Sequence, residues 1–116
     1  MTNVRIEERP VLLDNGERLS RIQLDSVVYI EADHKQCVIF MADGQSHRLS
    51  YPLGSLLPNL PPVFVPVHRS YVINIWHVHS IYGTMIFMDN GVRLQMGKTY
   101  TVDALRKSFL IITKCR

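Results

Sequence analysis

Three turn dipeptides divide this chain into short apolar segments, and they constrain its fold more than any other feature of the sequence. Asn15-Gly16, Asp43-Gly44 and Asn90-Gly91 each stand between apolar segments. Asn-Gly and Asp-Gly favour the tight turns of β-hairpins, because both residues tolerate positive φ angles. The sequence therefore predicts β-hairpins at three places along the chain.

Segments rich in β-branched and aromatic residues lie between these turns and predict strands. Val27–Ile30 and Val38–Met41 have strand length, and Gln45–Tyr51 is predicted to pair back across Asp43-Gly44. We expect about eight to ten short strands in all. The further predicted strands are Val63–Val67, Val78–Tyr82, Thr84–Met88 and Val92–Met96.

One short segment has the spacing of a helix. Leu53, Leu56, Leu57 and Leu60 would form one apolar face, which predicts a short helix near residues 53–60. Pro58 lacks a backbone donor, so this helix is expected to be short or distorted.

A second, C-terminal helix is predicted near residues 101–113, with Thr99 or Thr101 as its N-cap. Many short strands, two helices and no βαβ alternation indicate a mainly β fold, that is, a β-rich α+β domain. The apolar side of the C-terminal helix is predicted to consist of Val102, Leu105, Phe109 and Ile112.

No motif for enzymatic chemistry is present in the sequence, so we expect no enzyme, no catalytic residue and no cofactor. GxSxG, P-loop, GxGxxG and HExxH patterns are all missing. His77 and His79 would share one face of a strand, but no further ligands stand near them, and we expect no metal site. Cys37 and Cys115 do not have metal-like spacing. A ligand or metal sensor built on these residues is the least favoured alternative.

The ends and the apolar segments bear on where the protein resides. The N-terminal segment is charged and lacks the apolar core of a signal peptide. No segment reaches the roughly eighteen apolar residues that a membrane helix needs. We therefore expect a cytoplasmic protein that is not itself a membrane protein.

The charge of the chain is unevenly distributed. The net charge is only +3, but residues 1–33 hold four basic and seven acidic side chains, while residues 34–116 hold nine basic and three acidic ones. This asymmetry indicates a basic face on the later part of the chain, which is typical of nucleic-acid binding.

The segment from His68 to Asn74, His-Arg-Ser-Tyr-Val-Ile-Asn, is the most distinctive part of the sequence. An apolar strand leads there into a polar loop. Arg69 suits a phosphate or a guanine edge, and Ser70 offers its hydroxyl and its backbone N–H to a phosphate. From the residues alone, a structural arginine paired to a carboxylate is an equal alternative. Asn74 is predicted to hold the backbone of the turn through its side chain.

This segment resembles the signature of the LytTR family of bacterial DNA-binding domains. The resemblance covers roughly residues 18–112 and implies an elongated arrangement of small antiparallel sheets. Residues 18–116 would be the DNA-binding domain, and residues 1–17 an N-terminal extension with one strand at Pro10–Asp14 packed on the domain. The segments that match the family in order are Leu24–Asp33, Leu56–Leu60 with Phe64, the signature itself, Asp89–Gly91 with Leu94, and Lys98–Tyr100.

The resemblance also implies that loops, and not a recognition helix, bind double-stranded DNA. The first and third loops would enter successive major grooves, and the second would meet the backbone or minor groove between them. The implied DNA-binding residues are His34, Lys35 and Gln36 in the first loop, His68, Arg69 and Ser70 in the second, and Lys98 and Thr99 in the third.

If the loops bind DNA in this way, a contact can be assigned to each of several residues. Lys35 and Lys98 would contact phosphate or a guanine edge, and Arg69 would grip the backbone between the grooves. Gln36 could read adenine, and His34 could donate to a purine acceptor. For Arg48 and Arg93 a phosphate contact is the weaker alternative, because strand residues of this kind more often point outward into solvent.

One departure from the family pattern favours an alternative function. Where the family commonly has Ser-Arg before the last helix, this chain has Gly97-Lys98. The third loop therefore lacks the planar guanidinium group of an arginine and contains a flexible glycine. The leading hypothesis is sequence-specific DNA binding and transcription regulation. The alternative is a protein-interaction module of the same fold that has lost DNA readout.

Expectations about partners follow from the same resemblance. Such regulators often act at paired sites, so a weak homodimer on DNA is expected. A membrane or sensor protein would supply the signal. We favour a stand-alone regulator over an excised domain of a longer response regulator.

Overall fold

The computed structural model describes residues 9–113 and shows a β-rich chain. The N-terminal part of the predicted extension, residues 1–8, and Cys115 lie outside the described residues. The described strands are β1 Val11–Asp14, β2 Leu19–Ile22, β3 Val27–Asp33, β4 Gln36–Met41, β5 Ser46–Leu49, β6 Phe64–His68, β7 Tyr71–Asn74, β8 Val78–Tyr82, β9 Met85–Met88 and β10 Arg93–Gln95. The described helices are α1 Leu53–Leu56, α2 Val102–Arg106, and 3-10 turns at Leu24–Ser26, Leu57–Asn59 and Ile75–His77.

The three turn dipeptides all form hairpin turns, as predicted. They connect β1 to β2, β4 to β5 and β9 to β10, and each pair is antiparallel. Gly16, Gly44 and Gly91 have φ angles of 95°, 91° and 87°, which side chains rarely tolerate. In the second turn, the Asp43 carboxylate accepts a hydrogen bond from the backbone N–H of Gln45 at 2.9 Å. The carboxylate thus stabilises the turn locally.

The strands form three small antiparallel sheets. The largest has the order β5-β4-β3-β7-β6, a second contains β10-β9-β8, and β1 pairs with β2 alone. The predicted β-rich arrangement of small antiparallel sheets is therefore confirmed. The chain measures 57 × 37 × 24 Å along its principal axes, which confirms the elongated shape as well.

The five-stranded sheet separates two apolar cores, because its side chains alternate between its faces. On β4, Cys37 and Ile39 face the first core and Phe40 packs toward the second; on β7, Val72 and Ile73 divide in the same way. The first core also takes residues from β1, β2 and α1, and the second takes residues from β9, β10 and α2. The large sheet is thus a central layer covered on both faces.

The two predicted helices form, but the C-terminal one is shorter than predicted. The segment near residues 53–60 is α1 followed by a 3-10 turn, as the position of Pro58 predicted. The side chain of Thr101 caps α2 by accepting from the backbone N–H of Ala104 at 3.1 Å. However, α2 ends at Arg106 instead of continuing toward Thr113.

The reason for the early end of α2 is packing. Leu105 is buried, but Ile112 is 92% exposed, so the prediction that Ile112 lines the core is wrong. A short helix depends on burial of its apolar face, and no core surface extends beneath residues 110–112. Among residues 9–113, no helix has the length and apolar character needed to cross a membrane.

Candidate nucleic-acid interface

The three loops that carry the predicted DNA-binding residues lie against one another. The turn between β6 and β7 is in the middle. On one side, the backbone carbonyl of Ser70 accepts a hydrogen bond at 2.8 Å from the backbone N–H of Ala32, near the end of β3. On the other side, Val67 accepts one at 2.9 Å from the backbone N–H of Gly97, which begins the loop before α2. Backbone hydrogen bonds therefore hold the three loops at one end of the fold.

The first loop is the tight turn between β3 and β4. Asp33 and Gln36 are paired, so His34 and Lys35 form its tip, and both are exposed. His34 has a φ angle of 58°, the one positive φ among the described non-glycine residues. This conformation costs about 1–2 kcal/mol for an ordinary side chain. His34 and Lys35 thus occupy the two positions at the end of the hairpin.

A polar network lies at the base of this loop. One terminal nitrogen of Arg48, Nη1, donates to Asp33 Oδ2 at 2.7 Å and to Gln36 Oε1 at 2.9 Å. The hydrogen bond from Arg48 lowers the pKa of the Asp33 carboxyl. Arg48 is therefore not the freely solvated side chain that we expected, and it is held by the first loop.

The second loop is the turn inside the signature segment. His68 Nδ1 accepts a hydrogen bond from the backbone N–H of Ser70 at 3.0 Å, which requires the tautomer with its proton on Nε2. The His68 ring also packs 5.0 Å from the ring of Tyr71. The backbone N–H of Ser70 is thus already used, and a phosphate contact by Ser70 would rest on its hydroxyl. Arg69 is exposed at the tip.

The third loop is positioned by a close contact at Gly97. A Cβ atom added to Gly97 would lie 3.1 Å from Tyr100 Cδ2, 3.3 Å from His68 Cα and 3.3 Å from His68 Cδ2. Its φ is not positive. Little space is therefore left for a side chain at this position. Lys98 and Thr99, the next two residues, are exposed.

Asn74 holds backbone through its side chain, but at the end of β7 that lies away from the Arg69–Ser70 turn. Its side chain is fully buried. Its Oδ1 accepts from the backbone N–H of Trp76 at 3.0 Å, and its Nδ2 donates to the carbonyl of Val27 at 2.9 Å. The end of the signature segment is thereby tied to the start of β3.

The two histidines considered as metal ligands have other contacts. His77 Nε2 lies 2.6 Å from the carbonyl oxygen of Asp25 and must donate to it. His77 Nδ1 lies 3.3 Å from Asp89 Oδ2, without the geometry of a hydrogen bond. His79 Nδ1 lies 3.2 Å from Ser80 Oγ. Within residues 9–113, no three His, Cys, Asp or Glu side chains are placed to share a metal ion.

Comparison with known proteins agrees with the family resemblance seen in the sequence. The profile of the LytTr DNA-binding domain family matches residues 17–109. In three dimensions the chain is similar to the LytTr DNA-binding domain of a methyl-accepting/DNA response regulator from Bacillus cereus. That similarity has a TM-score of 0.70 and 25% identity, and it covers 88% of this chain and 97% of the other.

Curated relatives give the same indication at the level of sequence. The chain is 25% identical over 100 residues to the Transcriptional regulatory protein LytR of Staphylococcus aureus, in strains COL and MW2. The alignment covers 81% of this chain and 39% of that protein. The chain therefore spans well under half the length of these relatives.

Proposed function

This chain belongs to the LytTr DNA-binding domain family, and we propose that it binds double-stranded DNA at specific sequences through its three clustered loops. The family is one of DNA-binding domains in bacterial transcription regulators and not a family of enzymes. One observation supports the proposal for this chain: backbone hydrogen bonds join the bases of three loops, and Lys35, Arg69 and Lys98 are exposed in those loops.

The charges at these tips are available to DNA. Within the part of the chain that the structure describes, Lys35, Arg69 and Lys98 form no ion pair with a carboxylate. Cations that are not neutralised by the protein can replace the counterions of a phosphate backbone, and this release supplies a large share of the affinity of a DNA-binding protein. The structural alternative for Arg69, a pair with Asp or Glu, therefore has no support.

The proposed placement of the loops on DNA follows the family resemblance. We propose that the first loop, with His34, Lys35 and Gln36, and the third loop, with Lys98 and Thr99, enter successive major grooves. His68, Arg69 and Ser70 would then meet the backbone between those grooves. Rigid loops on a packed sheet favour such an arrangement, because little conformational entropy is lost on binding.

A salt titration of DNA binding tests the proposal. Fluorescence anisotropy with promoter DNA would give the slope of log affinity against log salt for the wild type, Arg69→Ala and Lys98→Ala. Each lost phosphate contact is expected to reduce that slope by about 0.9. Arg21→Ala removes an exposed arginine from β2, which carries none of the three loops, and is the matched control.

Two outcomes would contradict the proposal. Unchanged affinity and slope in both Arg69→Ala and Lys98→Ala would show that DNA does not contact this surface. No salt-dependent binding by the wild type would favour the protein-interaction module instead.

We further propose a cytoplasmic site of action, a weak dimer at paired DNA sites, and a separate sensor protein as the source of the signal.

A further inference from the structure

We propose that Arg48 is a positioning residue for base recognition: by engaging the amide oxygen of Gln36, it orients the amide so that its N–H groups are the groups available to DNA. This inference rests on the proposed function and concerns what the first loop can read. Gln36 alone would be expected to read adenine, through one accepting and one donating atom of its amide. The network with Arg48 changes that expectation.

The register of the sheet places the three residues of the network on one face. Asp33 lies directly opposite Gln36 across the β3–β4 pair, and Arg48 lies opposite Val38 across the β4–β5 pair. Because Gln36 and Val38 are two residues apart on β4, their side chains share a face. Arg48 is therefore the diagonal neighbour of Gln36, within reach of a long side chain.

The identity of the interacting atoms follows from the chemistry of the guanidinium. A guanidinium has donors only, so the amide group that faces it must be the carbonyl of Gln36. Nη1 of Arg48 is 2.9 Å from Gln36 Oε1 and 2.7 Å from Asp33 Oδ2. Asp33 thus holds the guanidinium in place while the guanidinium orients the amide. Within residues 9–113, the amide nitrogen of Gln36 has no protein partner.

An amide oriented in this way has a different base preference. Adenine presents a donor at N6 beside its acceptor N7, so reading adenine would require the Gln36 oxygen to accept from N6 while it also accepts from Arg48. Guanine presents two acceptors, O6 and N7, which match a pair of amide N–H groups. The arrangement therefore favours guanine over adenine at the base that Gln36 contacts.

Arg48 has a second possible use, which the experiment must separate from the first. Its side chain is 55% exposed, and its other N–H groups could contact a phosphate. A phosphate contact contributes affinity to all sequences alike, whereas orientation of Gln36 changes the preference at one base. A phosphate contact would therefore change the affinity, whereas orientation of Gln36 would change the base preference.

Selection of bound sequences from a random DNA pool distinguishes these roles. The chains compared are the wild type, Arg48→Met, Gln36→Ala, the double variant, and Arg21→Met as the control for a lost exposed arginine. The base contacted by Gln36 is the position whose preference is lost in Gln36→Ala. There we expect guanine in the wild type and a shift toward adenine of roughly tenfold in Arg48→Met. In the Gln36→Ala background, Arg48→Met is expected to change no base preference.

Each contrary result has a distinct meaning. If Arg48→Met keeps the wild-type preference and lowers only the affinity and its salt slope, Arg48 is a phosphate contact and the inference is wrong. If Gln36→Ala keeps every preference, Gln36 reads no base and the inference also fails. If the wild type enriches no sequence, the proposed function itself fails, and this inference fails with it.

Discussion

At the scale of single residues, Asn74 connects the signature segment to the rest of the fold. It is the one fully buried polar side chain among the described residues, and it bonds to the backbone of both Val27 and Trp76. Buried polar groups stabilise a structure only when their hydrogen bonds are made. Asn74 meets this condition at both ends of its amide, so its role is to join the end of β7 to the start of β3.

We predict that Asn74→Ala lowers the free energy of unfolding by about 2–4 kcal/mol. The substitution leaves the carbonyl of Val27 and the N–H of Trp76 without their partner, and each buried unpaired group costs about 1–3 kcal/mol. Urea denaturation followed by circular dichroism measures the change. Asn59→Ala is the control, because Asn59 makes an exposed bond to Ser55 and is expected to change stability by about 0.5 kcal/mol or less. Equal effects of the two substitutions would contradict the prediction.

At the scale of elements, the contact between Gly97 and His68 aligns the second and third loops. The loop before α2 approaches the end of β6 so closely that a Cβ atom at Gly97 would lie 3.3 Å from His68 Cα. The backbone bond from Gly97 to Val67 holds the same approach. The distance between Arg69 and Lys98 therefore depends on Gly97.

We predict that Gly97→Ala lowers stability by about 1–3 kcal/mol and also weakens DNA binding several-fold. The added Cβ would crowd the backbone of His68, which cannot rotate away as a flexible side chain could, so the loop must shift. Thermal unfolding and DNA titrations measure the two effects. Gly54→Ala is a control for which the opposite effect on stability is expected. Gly54 lies on α1 with no atom close to an added Cβ, and the substitution is expected to stabilise the chain by up to about 1 kcal/mol.

The contact between Gly97 and His68 is an example of a feature that could not be predicted from the sequence. Local chemistry predicted the three hairpin turns and a threonine cap at Thr99 or Thr101, because each depends on residues within one turn of the chain. The strand Tyr71–Asn74 was not predicted as a strand, since it is short and its pairing with both β3 and β6 is non-local. The Asp33–Arg48–Gln36 network required the register of three strands, and the Gly97 contact required the packing of two loops. Neither has a signal in local spacing.

At the scale of the whole molecule, three weak acids are distributed over the two cores. Cys37 lies in the first core, Tyr51 packs against it, and Tyr29 lies in the second core. Burial is the main cause that raises the pKa of each of these groups above its ordinary value, because a charged form is poorly solvated there. Stability at alkaline pH therefore reports on the integrity of both cores.

We predict that the chain loses stability as the pH rises above about 9. The pKa of the Cys37 thiol is raised from 9.0 and that of the Tyr29 hydroxyl from 10.0, so the unfolded chain releases these protons first. A raised pKa contributes stability that is complete below the unfolded value and is lost as the pH rises through the folded value. Urea midpoints at pH 7, 9 and 10.5 measure the loss. Tyr29→Phe keeps the ring stacked 4.6 Å from Phe40 but removes one titrating group, so the alkaline loss is expected to be smaller in this variant. An alkaline loss as large in Tyr29→Phe as in the wild type would show that Tyr29 is not one of the groups responsible.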